Sequence, residues 1–126
     1  MNLHTVEQFA WGDVPVEQLN PMITRQVVWG AKTTLVKIRL TKNCFIPEHS
    51  HESEQLSWVQ SGRIRLTIAG QDHDLGPGDV LRIPSWVPHS ALVLDDCDVV
   101  DIFSPIRSDW LERKDAYLRN AGVGQQ

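Results

Sequence analysis

An alternation of apolar and polar side chains with a period of two is the feature that most constrains this fold. The alternation runs through residues 33–40 and recurs in 63–68 and 80–83, and residues 99–103 form a short apolar run around one Asp. Only an extended strand places alternate residues on opposite faces. Helical spacing is absent from these segments, so they are predicted to form half-buried β-strands.

Turn-forming residues separate the predicted strands. Gly, Pro and Asp are concentrated at 61–62, 69–71, 76–79 and 94–98, where we expect turns. Many short strands with frequent turns are typical of an all-β antiparallel barrel or sandwich. Residues 24–29 are interpreted as a further strand at the edge of the sheet.

One helix is predicted near the end of the chain, over residues 110–119. Ser108 and Asp109 are candidate capping residues, and Pro105 interrupts the preceding strand. The residues expected to form the buried face of this helix are Trp110, Leu111, Tyr117 and Leu118.

Length and charge exclude several classes of protein. The 126 residues suffice for one hydrophobic core, and 12 Lys and Arg against 16 Asp and Glu give a net charge of −4. This balance provides no broad basic surface, so we expect no nucleic-acid partner and no binding to an anionic membrane. Because a long apolar stretch and a signal-peptide pattern are both missing, the protein is expected to be soluble and cytoplasmic.

Three histidines and one glutamine are candidate metal ligands. His49 and His51 are two residues apart, so both imidazoles leave the same face of an extended chain, and Gln55 has the same parity. His89 lies in a distant segment that a closed barrel would bring to the pair. Neutral imidazoles and an amide oxygen suit a divalent transition metal with open coordination positions. The alternative is a polar surface pair without a metal.

Two sequence motifs here resemble those of the cupins, whose first motif is His-x-His, three residues, an acidic or amide ligand, six residues and Gly. The matching residues are His49, His51, Gln55 and Gly62 in the first motif and Gly78, Pro84 and His89 in the second. The resemblance covers about residues 30–105. It implies a double-stranded β-helix, or jelly-roll barrel, in a single cupin domain over 1–126 with a C-terminal helix at about 108–119. It also implies a homodimer and one divalent transition metal (nickel, manganese, iron, cobalt or zinc) on the three histidines and the glutamine.

The chain departs from the usual cupin pattern at four positions. Gln55 replaces the usual Glu, Val93 replaces a common Asn, and Asn43 and Trp86 stand where Gly is common. Asn tolerates a left-handed backbone, whereas Trp86 is expected to narrow the mouth of the barrel. With Gln55 all four ligands are neutral, which favours Lewis-acid chemistry on an anionic substrate over the oxygen chemistry typical of two histidines and a carboxylate.

Asp101, Phe103 and Arg107 lie at and just after the end of the last predicted strand. Their spacing resembles that of the KdgF-type cupins, in which it occurs beside a metal site of three His and one Gln. The resemblance implies that these three are catalytic-site residues for a small anionic sugar. It implies an enzyme that opens cyclic 4,5-unsaturated monouronates from pectin or alginate breakdown to the linear 5-keto-4-deoxyuronate.

The chemistry of these residues is compatible with that role and with a structural one. A carboxylate such as Asp101 inside an apolar strand must be solvated, paired or used in chemistry. Arg107 is expected at the mouth of the barrel, where it would bind a substrate carboxylate or pair with Asp109 or Glu112. Phe103 is interpreted as a core residue or as a wall of the substrate pocket.

Two other functions remain open. The same metal site serves cupin dioxygenases and carbon–carbon lyases, because a fold does not dictate one chemistry, and iron dependence with oxygen uptake would favour that class. The second alternative is a non-enzymatic cupin that binds a sugar or another carboxylate.

Overall fold

The computed structural model describes residues 4–123, which form nine antiparallel strands in one curled sheet. The strands are β1 (Glu17–Asn20), β2 (Ile23–Trp29), β3 (Thr34–Leu40), β4 (Cys44–His49), β5 (Glu54–Ile68), β6 (Gln71–Leu75), β7 (Val80–Ile83), β8 (His89–Ser104) and β9 (Gly122–Val123). A short 3-10 helix, Trp11–Asp13, precedes them, and α1 (Ser108–Leu111) and α2 (Ala116–Arg119) lie between β8 and β9. The all-β fold predicted from the alternation is confirmed.

The two longest strands, β5 and β8, join the two halves of the barrel. The first half of β5 pairs with β7 and with the second half of β8, whereas its second half pairs with β6 and with the first half of β8. The second half of β8 continues into β3, β2 and β1, and its first half continues into β4 and β9. Each long strand therefore belongs to two differently oriented parts of the sheet, and these enclose the core.

The register between the two long strands is irregular around Gly62 of β5, and two predicted turns are wrong at this point. Residues 61–62 and 94–98 continue as strand instead of reversing the chain, with irregular register between Val59 and Ile64. Gly62 adopts a φ of +79° and its Cα lies against the backbone of Asp96 and Cys97. The turn-forming residues thus produce a bulge and a bend, since each segment finds its pairing partner in the other. The turns predicted around Gly70 and Gly78 are confirmed.

The core lies on the inner face of the curled sheet. In β3 the even-numbered positions from Thr34 to Leu40 are buried, whereas Lys37 and Arg39 point outward and are exposed. Apolar residues of β5 and β8 such as Val59 and Val93 complete the core with no measurable exposure. The period-two pattern therefore identifies the buried face correctly.

The sheet extends further than the cupin resemblance implies. Residues 24–29 form most of β2, but β2 lies between β1 and β3, so the predicted edge position is wrong and β1 takes that place. Strands also lie outside 30–105, at β1, β2 and β9. Residues 1–3 and 124–126 of the predicted domain lie outside the described residues.

The single C-terminal helix predicted at 110–119 is divided into α1 and α2. Arg113, between them, has a left-handed φ of 59°, and the side chain of Asp115 bonds to Arg25 and Arg119 instead of continuing a helical surface. No side-chain capping bond forms at α1, where Asp109 pairs with an arginine instead. The predicted buried face is right for Trp110 and Leu118, and wrong for Leu111, which is 60% exposed.

Within residues 4–123 no helix has the length and apolar character needed to cross a membrane.

Candidate metal centre and its cavity

The three candidate histidines converge at one end of the barrel. His49 ends β4 and pairs with His89 at the start of β8, and His51 follows β4 by two residues. One ring nitrogen of each histidine lies within 4.8 Å of the others. The antiparallel pairing of β4 with β8 thus brings the distant His89 to the His-x-His pair, as the sequence predicts.

Backbone hydrogen bonds set the same protonation pattern in all three rings. Nδ1 of His49 lies 2.8 Å from the carbonyl oxygen of Pro47, Nδ1 of His51 2.8 Å from that of Ser53, and Nδ1 of His89 2.9 Å from that of Val87. A carbonyl oxygen only accepts, so each Nδ1 carries the hydrogen and each Nε2 keeps a lone pair. This is the arrangement in which backbone groups orient metal-binding imidazoles.

The side chain of Gln55 adds an oxygen donor to this cluster. Its Nε2 donates to Ser57 Oγ at 2.8 Å, which directs its Oε1 toward His51 Nε2 at 3.1 Å. Gln55 Oε1 and His51 Nε2, which are both acceptors, then face each other. His89 Nε2 is buried without a hydrogen-bond partner among residues 4–123. Buried acceptors without a donor are costly, and a cation between these three atoms would satisfy all of them.

Burial keeps these imidazoles neutral. It lowers the pKa of His49 to about 3 and that of His51 to about 4, and it also lowers the pKa of His89. The neighbouring histidines and the charge of Arg107 act in the same direction. Neutral nitrogens with free lone pairs are the form that binds a divalent transition metal, so the residues present fit such an ion.

Three of the four candidate metal ligands line a cavity of about 60 Å³ inside the barrel. Its wall includes His49, Gln55, Ser57, His89, Asp101, Phe103 and Arg107, with Trp110, Tyr117 and Leu118 from the C-terminal segment. This volume holds a few water molecules at roughly 10–15 Å³ each. The space therefore suits a small ligand, or one end of it, beside the metal ligands.

Asp101 lies within the cavity wall and is linked to Gln55 through Ser57. It occupies β8 between Val36 of β3 and Ser57 of β5, and Ser57 Oγ donates to its Oδ1 at 2.6 Å. Burial raises the pKa of Asp101 to about 6, against the lowering effects of the Ser57 hydrogen bond and the charge of Arg107. A carboxyl group with this pKa can accept and return a proton near neutral pH.

Arg107 is buried in the inner wall, with 2% of its surface exposed, rather than at the open mouth. Its Nε and Nη2 donate to the two carboxylate oxygens of Asp109 at 3.0 and 2.8 Å. The guanidinium also packs over Phe103 and Trp110, 4.6 and 4.5 Å from the ring centroids. Burial would lower the pKa of Arg107, but Asp109 raises it. The remaining nitrogen, Nη1, has no hydrogen-bond partner among the described residues.

Tyr117 belongs to the cavity wall, although the sequence predicts only a buried helix position for it. Its ring stacks on His49 with a centroid distance of 4.1 Å and an angle of 22°. Its hydroxyl accepts hydrogen bonds from Arg107 Nη2 and from Trp110 Nε1. Nothing in the local pattern around Tyr117 reveals this position, because α2 reaches His49 only through the fold of the barrel.

Two departures from the cupin pattern are explained by backbone conformation. Asn43 and Trp86, where Gly is common, have φ angles of 73° and 64°. Glycine adopts this conformation freely and Asn tolerates it, whereas Trp86 does so at a cost. Trp86 is 62% exposed and is not among the described residues that line the cavity, so the narrowed mouth expected from it is not observed.

These features define an all-β barrel with a three-histidine site at one end, and comparisons assign it to a family. The cupin domain model matches residues 37–103, more than half of the chain. The chain therefore belongs to the cupin family. No curated protein sequence matches it significantly.

Within that family the chain resembles the KdgF-type proteins. KdgF from Halomonas sp. has a TM-score of 0.78 and 28% sequence identity, covering 84% of this chain and 99% of that chain. An RmlC-like cupin from Shewanella frigidimarina has a TM-score of 0.77 and 28% identity, covering 83% and 96%. An oxalate decarboxylase variant from B. subtilis has a TM-score of 0.71 over 80% of this chain and 30% of its own, and its 23% identity shows the fold alone.

Proposed function

We propose that this cupin is a metal-dependent enzyme that opens cyclic 4,5-unsaturated monouronates to the linear 5-keto-4-deoxyuronate. The observation that carries the proposal is one small cavity beside the three-histidine cluster, lined by His49, Gln55 and His89 together with a carboxyl group of raised pKa and a buried guanidinium. The 28% identity with KdgF over 84% of the chain supports this substrate class over other small anions.

The four candidate ligands would hold the metal at the wall of the cavity. A divalent ion bound there supplies a Lewis acid that polarises substrate oxygens, and its charge is not compensated by the neutral ligands. A doubly charged site with neutral donors favours a substrate that carries its own negative charge, as a uronate does.

Arg107 is suited to bind the uronate carboxylate. Asp109 holds two nitrogens of the guanidinium and so fixes its plane, while Nη1 remains available for a further acceptor. A positioned charged donor of this kind binds and orients a carboxylate. Phe103, packed under the guanidinium, shapes the wall beside it.

Asp101 would move the proton that the reaction requires, and its position in the cavity wall supports this role. As a base it takes the hydrogen of the C1 hydroxyl while the bond from C1 to the ring oxygen breaks, which produces an aldehyde at C1 and an enolate whose oxygen, the former ring oxygen, stays on C5. As an acid it then returns that proton to C4, and the enolate becomes the C5 ketone. The pKa of about 6 allows both steps in one residue, and no oxidant or organic cofactor is consumed.

The loss of ultraviolet absorbance from the conjugated C4=C5 bond tests this proposal directly. We expect native, metal-loaded protein to accelerate the decay, and chelated protein to lose this effect. Asp101→Asn should lower the enzymatic rate by roughly 10²–10⁴-fold, because an amide cannot exchange the proton. The matched control is Asp95→Asn, an exposed carboxylate on the same strand, which should keep the native rate.

Two results would contradict the proposal. Decay no faster than in buffer, with a verified bound metal, would exclude this substrate and favour the dioxygenase, lyase or binding-protein alternatives. An Asp101→Asn rate equal to the native rate would remove Asp101 from the chemistry.

We also propose a cytoplasmic homodimer whose only other partner is the small anionic sugar. An exposed apolar pair on the outer face, Trp58 (46%) and Val80 (59%), lies in register on β5 and β7 and supports contact between copies. Light scattering after gel filtration tests this, and a monomer mass at micromolar concentration would contradict it.

A further inference from the structure

Tyr117 contacts a candidate metal ligand and Arg107 at the same time, although the proposed reaction gives it no role. Its ring lies 4.1 Å from the His49 ring and nearly parallel to it. The Nδ1 bond to Pro47 holds one edge of that imidazole, and the stacked phenol restricts rotation of the ring plane about that bond. Together the two contacts fix the direction of His49 Nε2, the atom available to a metal.

The hydroxyl of Tyr117 is constrained to act as a donor. A phenol oxygen offers two acceptor positions and one hydrogen. Arg107 Nη2 and Trp110 Nε1 only donate, and they fill both acceptor positions. No acceptor for the remaining hydrogen is found within the described part of the chain. Since Tyr117 lines the cavity, this hydrogen is available to an oxygen of a bound ligand, next to the guanidinium.

The segment that carries Tyr117 is anchored independently of these contacts. Asn20 Nδ2 donates to the carbonyl oxygens of Leu118 at 2.8 Å and Ala121 at 3.1 Å. After α2 the chain pairs with β4, the strand that ends in His49. Tyr117 is therefore held over the site by bonds that a change of its own side chain does not remove.

We infer that Tyr117 is a functional residue of this site with two separable roles. Its ring is a positioning group that fixes the His49 imidazole for metal binding. Its hydroxyl donates a hydrogen bond to a carboxylate oxygen of the ligand beside Arg107, and this second role rests on the proposed uronate chemistry.

Two substitutions separate the roles, because Tyr117→Phe removes only the hydroxyl and Tyr117→Leu removes the ring as well. Cobalt(II) binding to the full chain after chelation, followed by visible absorbance, measures the first role. We expect Tyr117→Leu to weaken cobalt binding about tenfold, as loss of a group that orients a ligand does, and Tyr117→Phe to stay within about twofold of wild type.

Binding of D-galacturonate, a monouronate without the reactive double bond, to the cobalt-loaded protein measures the second role. We expect Tyr117→Phe to weaken it about tenfold through loss of one hydrogen bond to a charged group. The control is Leu111→Ala, at an exposed position of the same C-terminal segment, which leaves Tyr117 and its anchoring bonds intact. It should leave both affinities unchanged.

Each role has its own refutation. Cobalt affinity of Tyr117→Leu equal to wild type, or an equal loss in Leu111→Ala, would overturn the role of the ring. Galacturonate affinity of Tyr117→Phe equal to wild type, or no galacturonate binding by wild type, would overturn that of the hydroxyl. If wild type opens no unsaturated uronate but Tyr117→Phe still weakens galacturonate binding, the proposed activity fails and the role of Tyr117 stands.

Discussion

Gly62→Ala tests the bend through which the two halves of the barrel share their long strands. Gly62 has a φ of +79°, and a Cβ at this position would lie against the Asp96 carbonyl oxygen, 2.6 Å from Cys97 Cβ and 2.7 Å from Cys97 Cα. Gly70→Ala is the matched control, because Gly70 has a φ of +78° and open space where its Cβ would lie. The pair separates the cost of the backbone conformation from the cost of crowding.

The expected difference between the two variants in the free energy of unfolding comes from the one effect that they do not share. A left-handed φ costs about 1–2 kcal/mol for Ala in either variant. Ala also restricts the unfolded chain, which stabilises the folded state by roughly 0.4–1 kcal/mol in both variants. Crowding at Gly62 adds about 1–3 kcal/mol, since its neighbours are backbone and a buried Cys with no room to move.

Urea unfolding followed by circular dichroism measures this difference. With an m-value of roughly 1–3 kcal/mol per molar, the midpoint of Gly62→Ala should lie on the order of 1 M below that of Gly70→Ala. Equal midpoints would refute the reasoning, because they would show that the close approach of Asp96 and Cys97 is relieved without cost.

The metal centre and the C-terminal segment give two further predictions. His89→Ala removes the buried, unpartnered Nε2 and should lower nickel(II) affinity at least about tenfold by calorimetry, and unchanged affinity would exclude His89 as a ligand. Asp115→Asn should lower the free energy of unfolding by about 3 kcal/mol at neutral pH, because it breaks a buried pair with Arg25. Burial would raise the pKa of Asp115, but the hydrogen bonds from Arg119 and Arg25 lower it below its usual value. The ionised Asp115 therefore stabilises the fold fully above the unfolded-state pKa of about 3.9. This stabilisation is lost as the pH falls through the lower pKa of the folded state. In urea unfolding the gap between wild type and Asp115→Asn should therefore shrink in acid, and a constant gap would contradict the assignment.

The strand prediction succeeds where one face of the sheet is buried and the other is not. In β3 the alternation of Val36 and Ile38 with Lys37 is decided by that difference, and it is visible in any single strand. The errors fall where the deciding partner is remote. Residues 94–98 have the composition of a turn, but they pair along β5, and Arg113 and Asp115 interrupt a helix whose local pattern continues.

The candidate site was predictable only as far as its atoms are neighbours in sequence or follow a known spacing. His49 and His51 were predicted to share a face because an extended chain has a period of two, and the cupin spacing adds Gln55 and His89. The burial of Arg107 and its pairing with Asp109 were open alternatives, since both a solvated and a buried guanidinium fit the sequence. Tyr117 was missed because its contact with His49 joins two segments that are far apart in the sequence and meet only in the fold.

The sequence by itself therefore determined the strands that have a clear alternation, their buried face and the chemical types of the donors, because these depend on side-chain periodicity and composition. The tertiary structure alone decided which donors meet, which ring nitrogen carries the hydrogen and how far burial moves each pKa. Asp101 shows the reason. Its carboxyl group is the same in any Asp, but its pKa of about 6 arises from removal of water by three packed strands and from Ser57 and Arg107, which folding brings beside it.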